Sequence, residues 1–508
     1  MLVGSQVRRV AVIGGSRIPF ARGMGAYAEV GNQEMLTAAL KGVVDRFGLA
    51  RARLGDVQAG AVMKHSSQWN LTRESLLDSG LSPETPGLDV QRACGTSIEA
   101  AIIVANKIAL GQIDAGLAGG VDTVSDPPVV FGKAYQQILL RAHRARSFGE
   151  RVAPFLSLRP RHFKPVFPGT GEPRTGLSMG QHTEQMARTW QVTREEQDAF
   201  ALASHQRASR AWSEGFLADL VVPYLGLSTD NNVRADTSLE KLAKLRPSFA
   251  KDGTLTAGNS TPMTDGAAAV LLASEDWARA RGLPVQAYLT YGKVAAVDFV
   301  GGEGLLMAPA YAVPRMLADA GLTLQDFDFY EIHEAFAAQV LCTLKAWESE
   351  KFCRERLGLA KPLGSIDRAK LNVKGSSVAV GHPFAATGAR IVATLAKLLD
   401  ERGFETIRRM RLASTEHQKL TLAEFKQLVR EQFFMLLIDQ DAALAAIPSL
   451  LPPGADERRA ALEAIQEVVS ASGNLTGEAA ERMKRIVSLF DGGKPRLAKV
   501  GTAARADS

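Results

Sequence analysis

The stretch 88-LDVQRACGTSIEAAIIVANK-107 sets a cysteine between a short apolar run and a helix opened by small residues. Residues 88–93 read as a strand and 95–110 as a helix, so Cys94 falls at the handover. Backbone N–H groups and the helix dipole favour a thiolate there, and a free thiol pKa of about 8.5 can fall by units at such a position. Gly95, Thr96 and Ser97 are small enough to let a substrate approach. A buried structural cysteine is the competing reading of this stretch taken alone.

The same alternation extends on both sides. Residues 9–15 read as a buried strand, 33–47 as an amphipathic helix, 56–63 as a strand and 115–123 as another. This argues for an α/β layer with a mostly parallel sheet. Residues 125–180 break the pattern with Pro, Gly and many Arg and Lys, and read as an irregular insertion. A long helix follows, opened by the capping box 193-TREE.

The α/β pattern resumes at 266-GAAAVLLAS and then starts again. Strands are expected at 287–297, 327–332 and 376–381. Helices are expected at 309–321, from 334, and at 386–403. Two similar halves follow from this repetition. After about residue 404 the character changes. Residues 405–508 show helical periodicity without a clear strand: Thr421 and Glu424 form a capping box, and Met483, Ile486, Val487 and Phe490 share a helical face.

At 508 residues the chain is long enough for two to four domains. A hydrophobic content of 46% with 22% charged residues describes a soluble globular protein. Three cysteines exclude a disulfide framework and fit a reducing compartment. The net charge of +6 suits an anionic ligand, and the absence of a long Lys/Arg run argues against a nucleic-acid partner. Neither a signal peptide nor a membrane-length apolar run is present, so a cytoplasmic location is expected. The scattered histidines show no metal-ligand spacing, and no metal is expected.

Further candidates come from the junctions. In 378-VAVGHPFAATGAR, His382 sits at a sharp turn before a small-residue helix start, where it can raise the thiolate fraction of a nearby thiol. In 331-EIHEAFAAQV, His333 sits at a third junction. Each is also readable as a histidine making a local hydrogen bond. The stretch 257-AGNSTPMTDGAAAV could line a pocket with hydroxyls, or be an ordinary turn. The stretch 13-IGGSRIPF lacks G-x-G-x-x-G and carries Pro19 in the expected helix, so a dinucleotide loop is set aside.

Together these blocks resemble the thiolase family. The matching pieces are 91-QRACGTSIEAA, 119-GGVDTVSD, 257-AGNSTPMTDGAAA, 331-EIHEAFAAQ and 375-GSSVAVGHPFAATGAR, in family order over roughly residues 8–404. The HEAF form is similar to that of β-subunits in fatty-acid oxidation complexes. The resemblance implies a five-layered α/β/α/β/α fold of two similar halves. The expected domains are 1–124 and 251–286 for the N-terminal half, 125–250 for an inserted loop domain, 287–404 for the C-terminal half and 405–508 for a helical tail.

The resemblance also implies a reaction: thiolytic cleavage of a 3-oxoacyl-CoA to acetyl-CoA and a shortened acyl-CoA. Cys94 would carry the acyl group, His382 would activate the thiol, and His333 would position a water or donate to the oxyanion. Met179, Ser260 and Thr261 would line the pantetheine tunnel. Coenzyme A would be a substrate, with no bound cofactor. The basic stretch 144–174 would meet CoA phosphates or stay a solvated loop. A homodimer or larger assembly is implied, with a fatty-oxidation α-subunit as a further partner.

One family feature is missing. Thiolases usually carry a second cysteine in a C-x-G-G-G-type loop after the last helix, and 386-ATGARIVATLAKLLDERGF runs straight into 405-ETIRRMRLASTEHQKL. The last two strands of the second half are therefore expected to be absent. Losing a general acid costs about 10²–10⁴ in rate, and losing one oxyanion donor about 10²–10³. A catalytically impaired CoA-binding remnant fused to a foreign tail is the alternative expectation. The tail is similar to the C-terminal helices of a polyhydroxyalkanoate-synthetase-like family. A biosynthetic enzyme running in reverse would need the same lost proton step.

Overall fold

The computed structural model describes residues 7–169 and 171–414, with scattered positions between 454 and 490. The chain divides into two compact units, residues 1–397 and 398–508. The capping box at Thr421 and the face of Met483, Ile486, Val487 and Phe490 fall in the second unit, and most of that tail lies outside the described residues.

Strand β1 (Val10–Arg17) is buried along its whole length. Its register shifts between Val12 and Gly14, and Gly14 takes φ +148°, a conformation that favours glycine. After the short β2 (Ala21–Arg22), helix α1 (Asn32–Arg46) buries Met35, Leu36, Ala39, Leu40 and Val43, the spacing of one apolar face. Then come β3 (Asp56–Ala59), α2 (Leu71–Asp78), β4 (Gly87–Asp89), α3 (Thr96–Ala109) and β5 (Ala115–Asp122).

The segment after β5 carries little sheet. β6 (Val130–Phe131) and β7 (Pro165–Val166) pair antiparallel around α4 (Lys133–Arg144) and α5 (Phe148–Val152). Helix α6 (Met179–Thr189) is capped by Ser178, and α7 (Arg194–Ser213) by Thr193, whose hydroxyl accepts from Glu196 N–H. α8 (Leu239–Ala243) closes this region.

Strand β8 (Thr264–Ser274) returns to the sheet and is its spine. The strand order is β4-β3-β5-β8-β1 with a short sixth strand beyond β1, and β2 pairs with β8. β3 runs parallel to β4 and β5, but β8 is antiparallel to β5 and to β1. The expected mostly parallel sheet is thus corrected to a mixed one. The cause is connection: β8 enters from the long insertion, so nothing obliges it to run with β5. Both faces of β8 are covered. Val270 and Leu272 pack with α3 residues Val104 and Ile108, while Ala269, Leu271 and Ala273 face the α1 side with Leu36, Leu40 and Val43.

The second half departs from its sequence pattern. α9 (Glu275–Ala280) leads to β9 (Ala287–Tyr288), which spans two residues and pairs with β1. α10 (Ala308–Ala320) is followed by residues 327–332, which form no strand beyond a single bridge between Tyr330 and Leu371. α11 (Ala337–Glu348) and α12 (Glu350–Leu357) follow. The expected strand at 376–381 is α13 (Ser377–Val380), one helical turn. A strand needs a neighbour for its ladder, and among the described residues these segments have no ladder beyond that single bridge. A four-residue apolar run carries no periodicity to tell strand from helix. The last helix, α14 (Thr387–Ser414), continues through residue 404, where the composition suggested a break.

Candidate active site

The three junction residues meet. Cys94 Sγ and one ring nitrogen from each of His333 and His382 all lie within 4.8 Å of one another. Each is delivered by a different feature. Cys94 stands two residues before α3, and the preceding Ala93 holds φ +44°, an uncommon left-handed position for a residue with a Cβ. His382 follows α13 on a turn where Gly381 takes φ +102°, and any Cβ there would meet Thr264 Oγ1 at 2.6 Å. His333 lies on the segment ahead of α11.

Close packing brings these segments together. A Cβ on Gly120 of β5 would lie 2.1 Å from the Ala385 carbonyl oxygen, and one on Gly388 of α14 would lie 2.4 Å from Ile98 N. Ser97 Oγ accepts from Ala389 N–H at 2.8 Å, locking α3 to the first turn of α14. The buried Asp122 at the end of β5 accepts from Val62 N–H (3.0 Å), Met63 N–H (2.9 Å) and Ala385 N–H (2.8 Å). Two loops, at Val62–Met63 and at Ala385, therefore converge on one carboxyl group. Under the His333 segment, Glu334 accepts from Ser204 Oγ (2.7 Å), Asn372 Nδ2 (2.7 Å) and Val378 N–H (3.1 Å).

Both imidazoles are held from behind. His333 Nδ1 is 2.8 Å from Ser377 Oγ, and His382 Nδ1 is 2.6 Å from Thr387 Oγ1. Both Nε2 atoms are buried and have no hydrogen-bond partner. Arg390 Nη2 donates to Ser376 Oγ (3.0 Å) and Ser377 Oγ (2.9 Å), and its Nη1 stands 3.7 Å from the buried Glu331 carboxylate.

Burial decides the charge states. Desolvation, helped by the nearby Arg390 cation, pushes His333 down to about 3. Desolvation, then His333 and Arg390, hold His382 well below the ordinary imidazole value. Burial raises Glu331 to about 8, against the pull of Arg390, and raises Asp122 to about 7, against its backbone donors.

The Cys94 thiol is pushed up to about 12, by burial first and then by Asp122. This corrects the expected depression at the helix start. The physical reason is burial by the enclosing loops with Asp122 beside the thiol, and the N–H groups of Gly95 and Thr96 are already taken by the carbonyls of Arg92 and Ala93. Cys94 is nonetheless an exposed residue. Solvent at that open side offsets part of the desolvation, and the upward direction is what the chemistry depends on. The resting site is a neutral thiol beside two neutral imidazoles.

The candidate tunnel residues divide. Thr261 donates from its N–H to Ala335 O at 3.1 Å and from Oγ1 to Ser377 O at 2.8 Å, so it stitches the two histidine segments together. Ser260 is bridged to Phe336, and its buried Oγ has no partner. Met179 begins α6 and is half-exposed. A Cβ on its neighbour Gly180 would meet Phe249, whose ring packs edge-on against Phe336 at 5.6 Å. Cys342 and Cys353 are buried on α11 and α12 in a different apolar cluster. Ser377, Thr387, Arg390, Glu331 and Glu334 were not singled out from sequence, although all five sit inside the two histidine motifs.

The family model of the thiolase N-terminal domain matches residues 10–276, and that of the thiolase C-terminal domain matches residues 283–413. The 3-ketoacyl-CoA thiolase of Yersinia pestis (strain Pestoides F) is 42% identical over 409 residues, covering 79% of this chain and 93% of that protein. The crystal structure of the Bacillus anthracis acetyl-CoA acetyltransferase is similar with a TM-score of 0.66 and 30% identity, covering 79% of this chain and 94% of the other. That of human mitochondrial 3-ketoacyl-CoA thiolase gives 0.63 and 28%, covering 78% and 94%. Among the described residues, no helix is long and apolar enough to cross a membrane. The chain belongs to the thiolase family of acyltransferase enzymes and has the fold of that family.

Proposed function

We propose that this chain is an acetyl-CoA C-acyltransferase that splits a 3-oxoacyl-CoA through an acyl-enzyme on Cys94, in the degradative direction of fatty-acid oxidation. The observation that carries the reading is the convergence of Cys94 Sγ with one ring nitrogen of each of His333 and His382 within 4.8 Å, beside two buried Nε2 atoms without a hydrogen-bond partner. His382 Nδ1, donating to Thr387 Oγ1, leaves Nε2 as a base for the thiol proton. Ser377 Oγ already accepts from Arg390, so its own proton can go to His333 Nδ1, which makes Nε2–H of His333 a donor for the oxyanion.

The proton count closes without a second cysteine. Sulfur attacks the ketone carbon, the C2–C3 bond breaks, and its electron pair passes to the acetyl-CoA enolate. The proton lost by Cys94 is the one that the acetyl carbon gains, and the imidazole pair carries it. Coenzyme A sulfur then attacks the thioester carbon, the bond to Cys94 breaks, and the CoA thiol proton passes through the imidazole to Cys94 to restore the thiol. Ser260 and Thr261 line the pantetheine path, with Met179 at its outer end, and the basic insertion meets the CoA phosphates. The working assembly is at least a dimer, with a fatty-oxidation α-subunit as the further partner, in the cytoplasm.

A second reading rests on the two buried cysteines. The C-x-G-G-G stretch is not in the chain, and Cys342 and Cys353 are buried in an apolar cluster that contains none of the three site residues. On that reading the protein acylates Cys94 slowly or only binds CoA thioesters. Thiolysis of a medium-chain 3-oxoacyl-CoA with added CoA, with Cys94→Ala as control, separates the two. Sustained turnover that the control abolishes supports the thiolase. A folded protein that shows no turnover and no acyl-enzyme sinks it, and an acyl-enzyme without turnover favours the impaired form.

A further inference from the structure

We propose that Cys94, His333 and His382 form a site for a thiophilic divalent cation such as Zn²⁺, and that the cation reversibly blocks the nucleophile. The three ligand atoms already lie within 4.8 Å of one another. Tetrahedral zinc with Zn–S of about 2.3 Å and Zn–N of about 2.0–2.1 Å needs ligand atoms roughly 3.3–3.6 Å apart. Rotation of the exposed Cys94 side chain and small ring adjustments close that gap.

The donor set suits the ion in kind and in count. One thiolate and two imidazoles satisfy three positions, and the exposed side of Cys94 leaves a fourth open to water. A histidine that binds metal normally has its other nitrogen hydrogen-bonded, which fixes the ring. Both rings here meet that condition, through Ser377 Oγ and Thr387 Oγ1. Both Nε2 atoms are buried without a partner, so the cation displaces no existing hydrogen bond. His333 needs the tautomer with hydrogen on Nδ1, which rotation of the Ser377 hydroxyl permits.

The binding step balances simply. The Cys94 S–H bond is replaced by an S–metal bond, the proton leaves to solvent, and no electron is transferred. The bound thiolate has its lone pair committed and both bases are occupied, so acyl transfer to sulfur stops. Chelation restores it. The inference does not need the thiolase reading to hold, because occupancy is measured without substrate.

The test uses the purified full chain stripped of metal. Co²⁺ is added as a spectroscopic probe for the same ligands, then competed with Zn²⁺. We expect one Co²⁺ per chain with a thiolate-to-cobalt charge-transfer band, loss of that band in Cys94→Ser, and at least about 100-fold weaker binding in His333→Asn, beyond the about 10–100-fold cost of losing a supporting contact. Because a variant can fail to fold, the wild-type protein gives a second readout: Zn²⁺ should slow iodoacetamide alkylation of Cys94 at least tenfold, and EDTA should reverse this. A cobalt band that survives Cys94→Ser places the metal elsewhere and overturns the proposal. So does unaltered alkylation of the wild-type protein at saturating Zn²⁺.

Discussion

The His333 and His382 rings lie 4.0 Å apart, centroid to centroid, with their planes tilted by 45°. Two imidazoles this close cannot both be charged in a dry site. Burial keeps each neutral. Hydroxyls behind the rings, Ser377 Oγ and Thr387 Oγ1, hold the two Nδ1 atoms and leave the Nε2 atoms unpartnered.

Removing those hydroxyls should therefore damage turnover more than folding. Ser377→Ala frees His333 Nδ1, and Thr387→Val frees His382 Nδ1. Each should lower kcat about 10–100-fold, with a smaller change in KM, as for loss of a supporting hydrogen bond to a working histidine. Steady-state thiolysis checks it. Full activity in both variants would mean that the rings need no tautomer control.

Acid should destabilise the protein through the same pair. The unfolded imidazole titrates near 6.5, and His333 is held at about 3 when folded. Its contribution is full above pH 6.5 and is lost as pH falls towards 3, with a slope of up to about 1.4 kcal/mol per pH unit. Asp122 and Glu331 are raised to about 7 and 8, so their contributions have the opposite sign and decline as pH rises above about 4. The difference between wild type and His333→Asn isolates the histidine. Denaturant titrations between pH 4 and 7 should show a shallower fall towards acid for the variant. Parallel curves would contradict the depressed value.

The three cysteines should separate cleanly on alkylation. Cys94 is exposed, while Cys342 and Cys353 are buried. Iodoacetamide on the native protein should label Cys94 alone, as read by peptide mass spectrometry, with the others labelled after unfolding. The rate should rise about tenfold per pH unit from 7 to 9, since the thiol is pushed up to about 12. A rate independent of pH over that range would instead report a preformed thiolate–imidazolium pair.

The three residues that meet were each legible in the sequence as junction residues. Cys94, His333 and His382 each sit at a junction marked by small residues or a Gly-His-Pro turn, but each local signal also allowed a structural reading, and the resemblance of the assembled motifs is what gave them roles. What could not be read was long-range pairing. The run 376–381 has the apolar content of a strand, but its neighbours, not its own residues, make it one turn of α13. The antiparallel placement of β8 depends on where the insertion returns the chain. The thiol shift was misread for a similar reason. A helix start predicts depression, while Asp122, 28 residues on, and the enclosing loops supply burial that no local motif encodes.

Two tight glycine contacts at the site mark where function and stability fail together. Gly120 and Gly388 hold β5 and α14 against the loops that carry His382 and Cys94. Gly120→Ala would put a methyl 2.1 Å from the Ala385 carbonyl oxygen, and Gly388→Ala would put one 2.4 Å from Ile98 N. Both obstacles are backbone, so the chain must shift rather than a side chain rotate. Such overpacking costs about 1–3 kcal/mol. The shift acts between the cysteine-bearing helix and the histidine turn, so it should also open the 4.8 Å cluster. A misplacement of about 1 Å can cost about 10²-fold in rate. Gly388→Ala should lower the unfolding temperature by several degrees and kcat by one to two orders of magnitude. Gly403→Ala is the control, because a Cβ there meets nothing within 4 Å. Equal activity and melting in Gly388→Ala and the control would show that the α3–α14 contact does not set the geometry of the site.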